Sequence, residues 1–518
     1  MMLAASCADW NDHYEDSVAG GSDVTLWQQL EQRSELSDFR EVLQNTKVFR
    51  HHKKTSVSYA ELLNQGQSFT VMAPVNGTFD KDQLIAQTAT DQGDSIVEKF
   101  FVGNHIARSA NSVKEGTQQV TLLNTKHIDM GNDEIEGVSV KEKNVHAKNG
   151  VLHVLSAQVP YRYSLYEAMT DISDFSSIGS FIRQYDEDYF DENSSVSSGI
   201  VEGVTVYVDS VIIERNRLLE KIGQLAHEDS VYWMVAPSAN GWNKAYEEAQ
   251  KYFVYDAKVD KRDSIQRYWT NRALLDDAIY SMTLQDSPAD SLVSVQYNRS
   301  EPKYHVFYKP TQGGILSNVE KTIDCSNGLL YQTAEWPFTP EQTYFQELRS
   351  EAEDVSLLVG TPTGCSYNRR NIAGDSISKG AYLDIVAANQ STNWDITYRV
   401  NNTLSGKYDV CAVILPKSVN DPDNPDLRPN KFKATISYVD TLGATKTFNC
   451  GNTQFKTDPL RVDTIVLAKG FQFPACNFDM DAIKITVKLT CSILARENSS
   501  YNREMYLDCI YLRPVREE

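Results

Sequence analysis

Nine histidines and eight cysteines are the residues of this chain best suited to metal binding or nucleophilic chemistry, and their spacing supports neither. No two cysteines form a Cys-x-x-Cys pair, so a zinc ribbon or a dithiol redox site has no basis. Only His51 and His52 are adjacent, in the polar run His51-His-Lys-Lys54, which reads as a solvated loop. There is no Gly-x-Ser-x-Gly elbow, no glycine-rich phosphate loop and no His-Glu-x-x-His. Carboxylates are plentiful, yet none stand out as the paired acid and base of a glycosidase. The acidic run 186–193 lacks the sixth-position glycine and closing glutamate of a helix–loop–helix calcium site, and 420–426 is stiffened by proline. Both read as solvated loops. The expectation is a chain with no catalytic residues, no metal and no cofactor: not an enzyme.

The cysteines carry a different message. Cys7 and Cys325 stand alone, and the other six fall between Cys365 and Cys509. Cys411 alternates with Val413 and Leu415, and Cys509 shares strand parity with Leu507. Core-facing positions of this kind favour buried thiols over disulfides. Cys7 follows Leu3-Ala-Ala-Ser6 and precedes a stretch holding Asp9, Asp12, Glu15 and Asp16. That pattern resembles a bacterial lipoprotein signal with Cys7 as the lipidated residue, although the charged n-region and most of the apolar stretch are missing. The acidic residues resemble the surface-export signals of gut-type Gram-negative bacteria. Residues 1–23 would then be a signal remnant and tether.

The chain has 518 residues, enough for two to four domains, with 70 acidic and 50 basic residues and a formal charge of −20. A nucleic-acid binder needs the opposite balance. No apolar run approaches the ~18 residues of a spanning helix.

The elements that would carry any site follow from local pattern. Leu26, Leu30, Leu36, Phe39 and Leu43 recur at near-helical spacing and predict two short helices. Gln67–Ala73 reads as a strand stopped by Pro74, and the turn after it enters a helix that Asn76 or Thr78 can cap. A helix through Val97 and Phe101 leads to Asn104-His105, and Lys148-Asn-Gly150 predicts a hairpin into Val151–Leu155. The runs Phe69-Thr-Val-Met-Ala-Pro-Val-Asn-Gly-Thr-Phe79 and Asn149-Gly-Val-Leu-His-Val-Leu-Ser-Ala-Gln-Val-Pro160 resemble, in order, the two signatures of the fasciclin domain. The resemblance spans residues 24–162. It implies a compact α/β fold, used chiefly for adhesion and extracellular recognition. It also places Ala73, Pro74, Asn76, Phe79, His105, Asn149, Gly150 and His153 at signature positions, the histidines as hydrogen-bonded struts.

A second, divergent copy is expected over 163–340. There Ala236-Pro237 and Asn327-Gly328 repeat the two signatures, Tyr331 stands where the first copy has His153, and the wider spacing implies an insertion. From 341 to 518 seven alternating runs predict an all-β sandwich, and its Ser-Gly-x-Tyr and closing strands resemble galactose-binding-like jelly rolls. The expected fold class is therefore multidomain α+β: two fasciclin-like units followed by a jelly-roll-like sandwich.

The function expected is non-catalytic: adhesion or glycan binding by a lipid-anchored protein at the outer-membrane surface, accessory to a nutrient transporter. The alternatives are a scaffold docking on another envelope protein, or an enzyme with an unrecognised site. Sugar rings stack on aromatic faces and need a few placed polar groups. The runs 366–370 and 498–503 are expected as loops that each combine Tyr with Asn and Arg, so Tyr367 and Tyr501, with Arg503, are the expected contacts, and Trp394 is expected in the core. Asp followed by Ser or Thr and an aliphatic residue occurs nine times, which fits either an O-glycan acceptor pattern or ordinary turn composition.

Overall fold

The computed structural model describes residues 23–516 except 51–52, 202–203, 284–286, 289, 298–304, 373–376 and 424. Cys7, His51 and His52 lie outside the described residues. The chain is mixed α/β with an all-β C-terminal region, as the sequence predicts.

In the first α/β unit, Phe69–Pro74 is buried along its whole length and pairs in parallel with the equally buried Gly150–Leu155, inside a seven-stranded sheet. Helices Leu26–Glu31 and Ser37–Asn45 set Leu26, Leu30, Phe39, Val42 and Leu43 against that pair. The helix after Pro74, Lys81–Gln87, is capped by Asp80, which accepts from the Gln83 N–H at 3.0 Å; Asn76 and Thr78 do not cap it. Asn76 instead ties the loop to the Ser37 helix. Its amide donates to the Ser34 carbonyl and the Ser37 hydroxyl, and its oxygen accepts from the Asp38 N–H at 3.0 Å.

The same central geometry recurs further along. Tyr232–Pro237 runs parallel to Gly328–Thr333, with Tyr232 opposite Gly328 as Phe69 is opposite Gly150, and the two ladders end on Pro237 and Pro74. The asparagine before each glycine makes the same three bonds. Asn149 accepts from the Leu26 N–H (2.7 Å) and donates to the carbonyls of Leu63 (2.9 Å) and Gln65 (2.7 Å). Asn327 accepts from the Leu165 N–H (2.8 Å) and donates to Leu225 (2.9 Å) and His227 (3.1 Å). Gly150 (φ +141°) and Gly328 (φ +146°) admit no side chain, because a Cβ would lie 1.9 Å from the carbonyl oxygen of Phe69 or Tyr232.

This second unit differs by a long hairpin, Asp186–Val201 with Val204–Asn216. The acidic run at 186–193 begins that hairpin and is not a loop. Asp186 accepts from the Tyr166 hydroxyl and the Asn216 amide, and Glu187 pairs with Arg215 and Arg217 at 2.6 Å each.

From Leu348 onward two antiparallel sheets face each other. One holds Cys365–Asn371, Ala381–Ala387, Met505–Pro514, Gly406–Leu415 and Asp463–Phe473, with Leu348–Glu351 also paired to Met505–Pro514. The other holds Asp395–Arg399, Thr486–Cys491, Lys431–Val439 and Thr445–Lys456. Ile396, Tyr398, Val410, Ala412, Ile436, Val487, Leu507 and Leu512 belong to the shared core. All seven predicted runs form strands. Residues 366–370, expected as a loop, belong instead to the edge strand Cys365–Asn371, whose side chains are exposed on both faces and so show no alternation. The parity expected at Cys509 also fails. A register shift between Val413 and Ile414 leaves Leu507 in the inter-sheet core but turns Cys509 to the outer face, beside Cys411, Val413 and Tyr511. All seven described cysteines are free, and six are buried.

The second unit and the sandwich share a core. Phe253 and Tyr255, between the helices Ala239–Ala249 and Arg262–Leu275, are 1% exposed and belong to the sandwich cluster. The Val254 carbonyl accepts from the Cys476 N–H and the Tyr252 carbonyl from the Ser405 N–H, both at 2.8 Å, while Asp256 pairs with Lys484. The chain changes texture near residue 340, but its packing crosses that point.

Candidate functional site

The residues that resemble fasciclin signatures in sequence are placed to hold the fold. Ala73, Ala236, Asn149 and Asn327 are buried, and Phe79 packs on Phe101 at 4.9 Å between ring centroids. His105 donates from Nδ1 to the Phe101 carbonyl (2.7 Å) and accepts at Nε2 from the Val159 N–H (2.9 Å). Burial pushes its pKa down to about 4, the Phe101 bond opposing. His153 accepts from the Asn144 N–H at 3.1 Å and donates to the Asn111 carbonyl at 3.0 Å. Both rings therefore have both nitrogens engaged within the fold.

The predicted ligand contacts separate. Tyr367 lies on the edge strand, 36% exposed. Tyr501 and Arg503 meet at a recess of about 440 Å³ between sandwich loops, lined also by Asn389, Gln390, Arg428 and Asn498. Arg503 is a strut of those loops. Its guanidinium donates to the carbonyls of Thr392 (3.1 Å) and Ile493 (2.6 Å) and to Asn393 and Asn498. Trp394 is 1% exposed in the core and donates to the Arg503 carbonyl at 2.7 Å. Tyr501 has Lys431 Nζ at 4.8 Å and Lys456 Nζ at 5.5 Å from its ring centroid. In the run 420–426, Asp426 is held by Arg428 and by the Asn502 amide (2.9 Å). Among the described residues no group of three or more His, Cys, Asp or Glu is arranged to hold a metal ion.

A second recess, of about 430 Å³, was not anticipated from sequence. It lies where the helix Arg262–Leu275 meets the sandwich, and its lining includes Phe253, Trp269, Asp276, Asp277, Asn401 and Phe478. Trp269, Asp276 and Asp277 share one helix end, but Phe253, Asn401 and Phe478 come from distant stretches, so no local spacing reveals the recess; the Asp276-Asp277 pair closing a helical run is the one available signal. Asp276 accepts from Arg272 Nε at 2.8 Å, and Asp277 from His305 Nδ1 at 2.7 Å. Burial raises the Asp276 pKa to about 6 against the pull of Arg272. On the outer face of the sandwich, Asp508 is 2% exposed and accepts from the Ser378 N–H at 3.1 Å. Burial first, then the nearby Glu351 and Glu353, push its pKa up to about 7.

A family profile described as the fasciclin domain matches residues 35–158. No curated protein sequence matches the chain. Among solved structures, a fasciclin domain pair from the insect cell adhesion molecule Fasciclin I is 13% identical, covering 53% of this chain and 90% of its own, with a TM-score of 0.19. The CBM22-1 xylan-binding domain from a Paenibacillus barcinonensis protein is 10% identical over 34% of this chain and 96% of its own, with a TM-score of 0.22. A Clostridium thermocellum xylanase comprising a carbohydrate-binding module and a catalytic module is 11% identical, over 34% of this chain and 28% of that one, with a TM-score of 0.22. The chain thus spans less than a third of the xylanase's length. These are partial superpositions. Residues 35–158 match the fasciclin-domain profile, and the strands from Leu348 onward form a β-sandwich.

Proposed function

We propose that the chain is a non-catalytic surface-recognition protein in which two fasciclin-like units, residues 24–162 and 163–340, carry a sandwich, 341–518, that captures glycans. The recurrence of the Asn149 geometry at Asn327 supports the duplication. The Tyr501 recess carries the glycan reading. The Tyr501 ring shares the recess with the amides of Asn389, Gln390 and Asn498, while Arg428 is paired to Asp426 and Glu504 to Lys417, and this suits hydroxyls and the apolar face of a sugar ring. Lipidation at Cys7 would hold the protein on an outer membrane, next to a nutrient transporter as its envelope partner. Screening the full chain against a glycan array, then titrating a hit into the Tyr501→Ala variant, tests the reading. The variant should bind about fivefold more weakly, since an aromatic contact contributes on the order of 1 kcal/mol. A wild-type chain that captures no arrayed glycan would overturn the reading and leave docking on an envelope protein in its place.

A further inference from the structure

The junction recess combines an aromatic floor with walls whose charges are already compensated. Trp269 is braced edge-on by Phe478 at 4.8 Å and by Tyr268 at 5.0 Å, and the Arg272 guanidinium lies 5.5 Å from its ring centroid. Phe253 completes the apolar side. The lining also holds three carboxylates, each with its own partner: Asp276 with Arg272, Asp277 with His305, and Glu347 with Arg349 at 2.8 Å. The exposed Asn401 and Asn402 add uncharged amides to the lining.

This combination discriminates among ligand classes. A phosphate or carboxylate ligand would find the lining His305 and Arg349 already paired with Asp277 and Glu347. A free cation would gain little from carboxylates already paired with Arg or His. A purely apolar ligand would strip water from carboxylates and amides without replacing their hydrogen bonds. A neutral polyol meets none of these penalties. Its hydroxyls donate to carboxylates and amide oxygens, and the C–H face of its ring lies on Trp269. The volume of about 430 Å³ falls within the small-molecule range of about 300–1,000 Å³, and a junction between structural units is a favoured place for such a site.

We infer that the recess formed by Trp269, Asp276, Asp277 and Asn401 is a saccharide site separate from the Tyr501 recess, taking a neutral mono- or disaccharide held jointly by the second unit and the sandwich. This rests on the glycan reading above. Maltose, cellobiose, lactose and xylobiose are titrated as probes into the full chain and into Trp269→Ala, Asn401→Trp and Tyr501→Ala variants by calorimetry. Asn401→Trp fills the mouth of the recess from an exposed position, and so decides the matter if Trp269→Ala does not fold. At least one probe is expected to bind the Tyr501→Ala variant, and to bind at least tenfold more weakly after Trp269→Ala or Asn401→Trp. If a probe binds and both junction variants leave its affinity unchanged, the junction site falls and the glycan reading stands. If no probe binds the wild-type chain, the junction site is overturned, and the array result alone decides the Tyr501 recess.

Discussion

Lys126 of the first unit and Glu167 of the second form a buried ion pair, Nζ to Oε2 at 2.7 Å, with both side chains 7% exposed. The same ammonium reaches Glu228 at 2.7 Å and the Ser326 hydroxyl at 3.0 Å, and Lys99 joins Glu167 at 2.5 Å. The two α/β units are therefore joined by a desolvated charge network and not by a flexible linker alone.

Removing Lys126 tests that junction. Lys126→Met leaves Glu228 buried without its cation and Glu167 with Lys99 only, so a loss of about 3–5 kcal/mol is expected. Burial favours the neutral form of Glu167, but Lys126 and Lys99 outweigh it and hold the carboxyl down to about 2. The stabilisation is thus full above the ordinary carboxylate range, near pH 4.5, and fades as pH falls towards 2. Acid-unfolding curves should show the wild-type chain losing its advantage over the variant in that interval. A constant difference from pH 7 to 2 would contradict the assignment.

Asp508 should act in the opposite sense. Folding raises its pKa to about 7, so the folded state holds a proton that the unfolded chain releases near pH 4. Its contribution is most favourable below about pH 4, declines as pH rises, and levels off above about 7. Asp508→Asn should therefore stabilise the sandwich at pH 8, by up to a few kcal/mol, with little gain at pH 4. Urea melts at the two pH values measure this; equal gains at both would count against it.

The paired glycines make a matched prediction. Gly150→Ala and Gly328→Ala should each cost more than the ~1 kcal/mol of an average substitution, because the new Cβ meets a backbone oxygen. Gly116→Ala, at φ +81° with open space around it, carries only the backbone strain and should cost less. Chemical denaturation of the three variants gives the ranking, and comparable costs would remove the case for close approach.

Anchoring is checked by fractionation. Cys7→Ala should release the protein from membranes with its melting curve unchanged. A variant that still pellets with the membrane would refute lipidation at Cys7.

What the sequence disclosed follows local physics. Phe69–Pro74 and Gly150–Leu155 were legible because a proline stop and an Asn-Gly turn act within a few residues of the strands they bound. Cys365–Asn371 was not, since an edge strand exposed on both faces needs no alternation. Cys509 misled because one register shift inverts parity for everything beyond it. Tyr501 was found from its loop composition, whereas Trp269 and Asp276, two helical turns apart, meet Phe253, Asn401 and Phe478 only through tertiary packing, which no spacing in the chain encodes.

The insertion of Phe253 and Tyr255 into the sandwich core bears on how the chain is made. A ribosome delivers these residues long before Met505–Pro514, the strand that joins both halves of its sheet. During that interval two large aromatic side chains have no finished core to enter, and the last strand to emerge completes the packing of a segment made far earlier. The sandwich thus completes its core only with a segment of the unit before it, and truncations placed near residue 340 would leave a hole where those two rings belong.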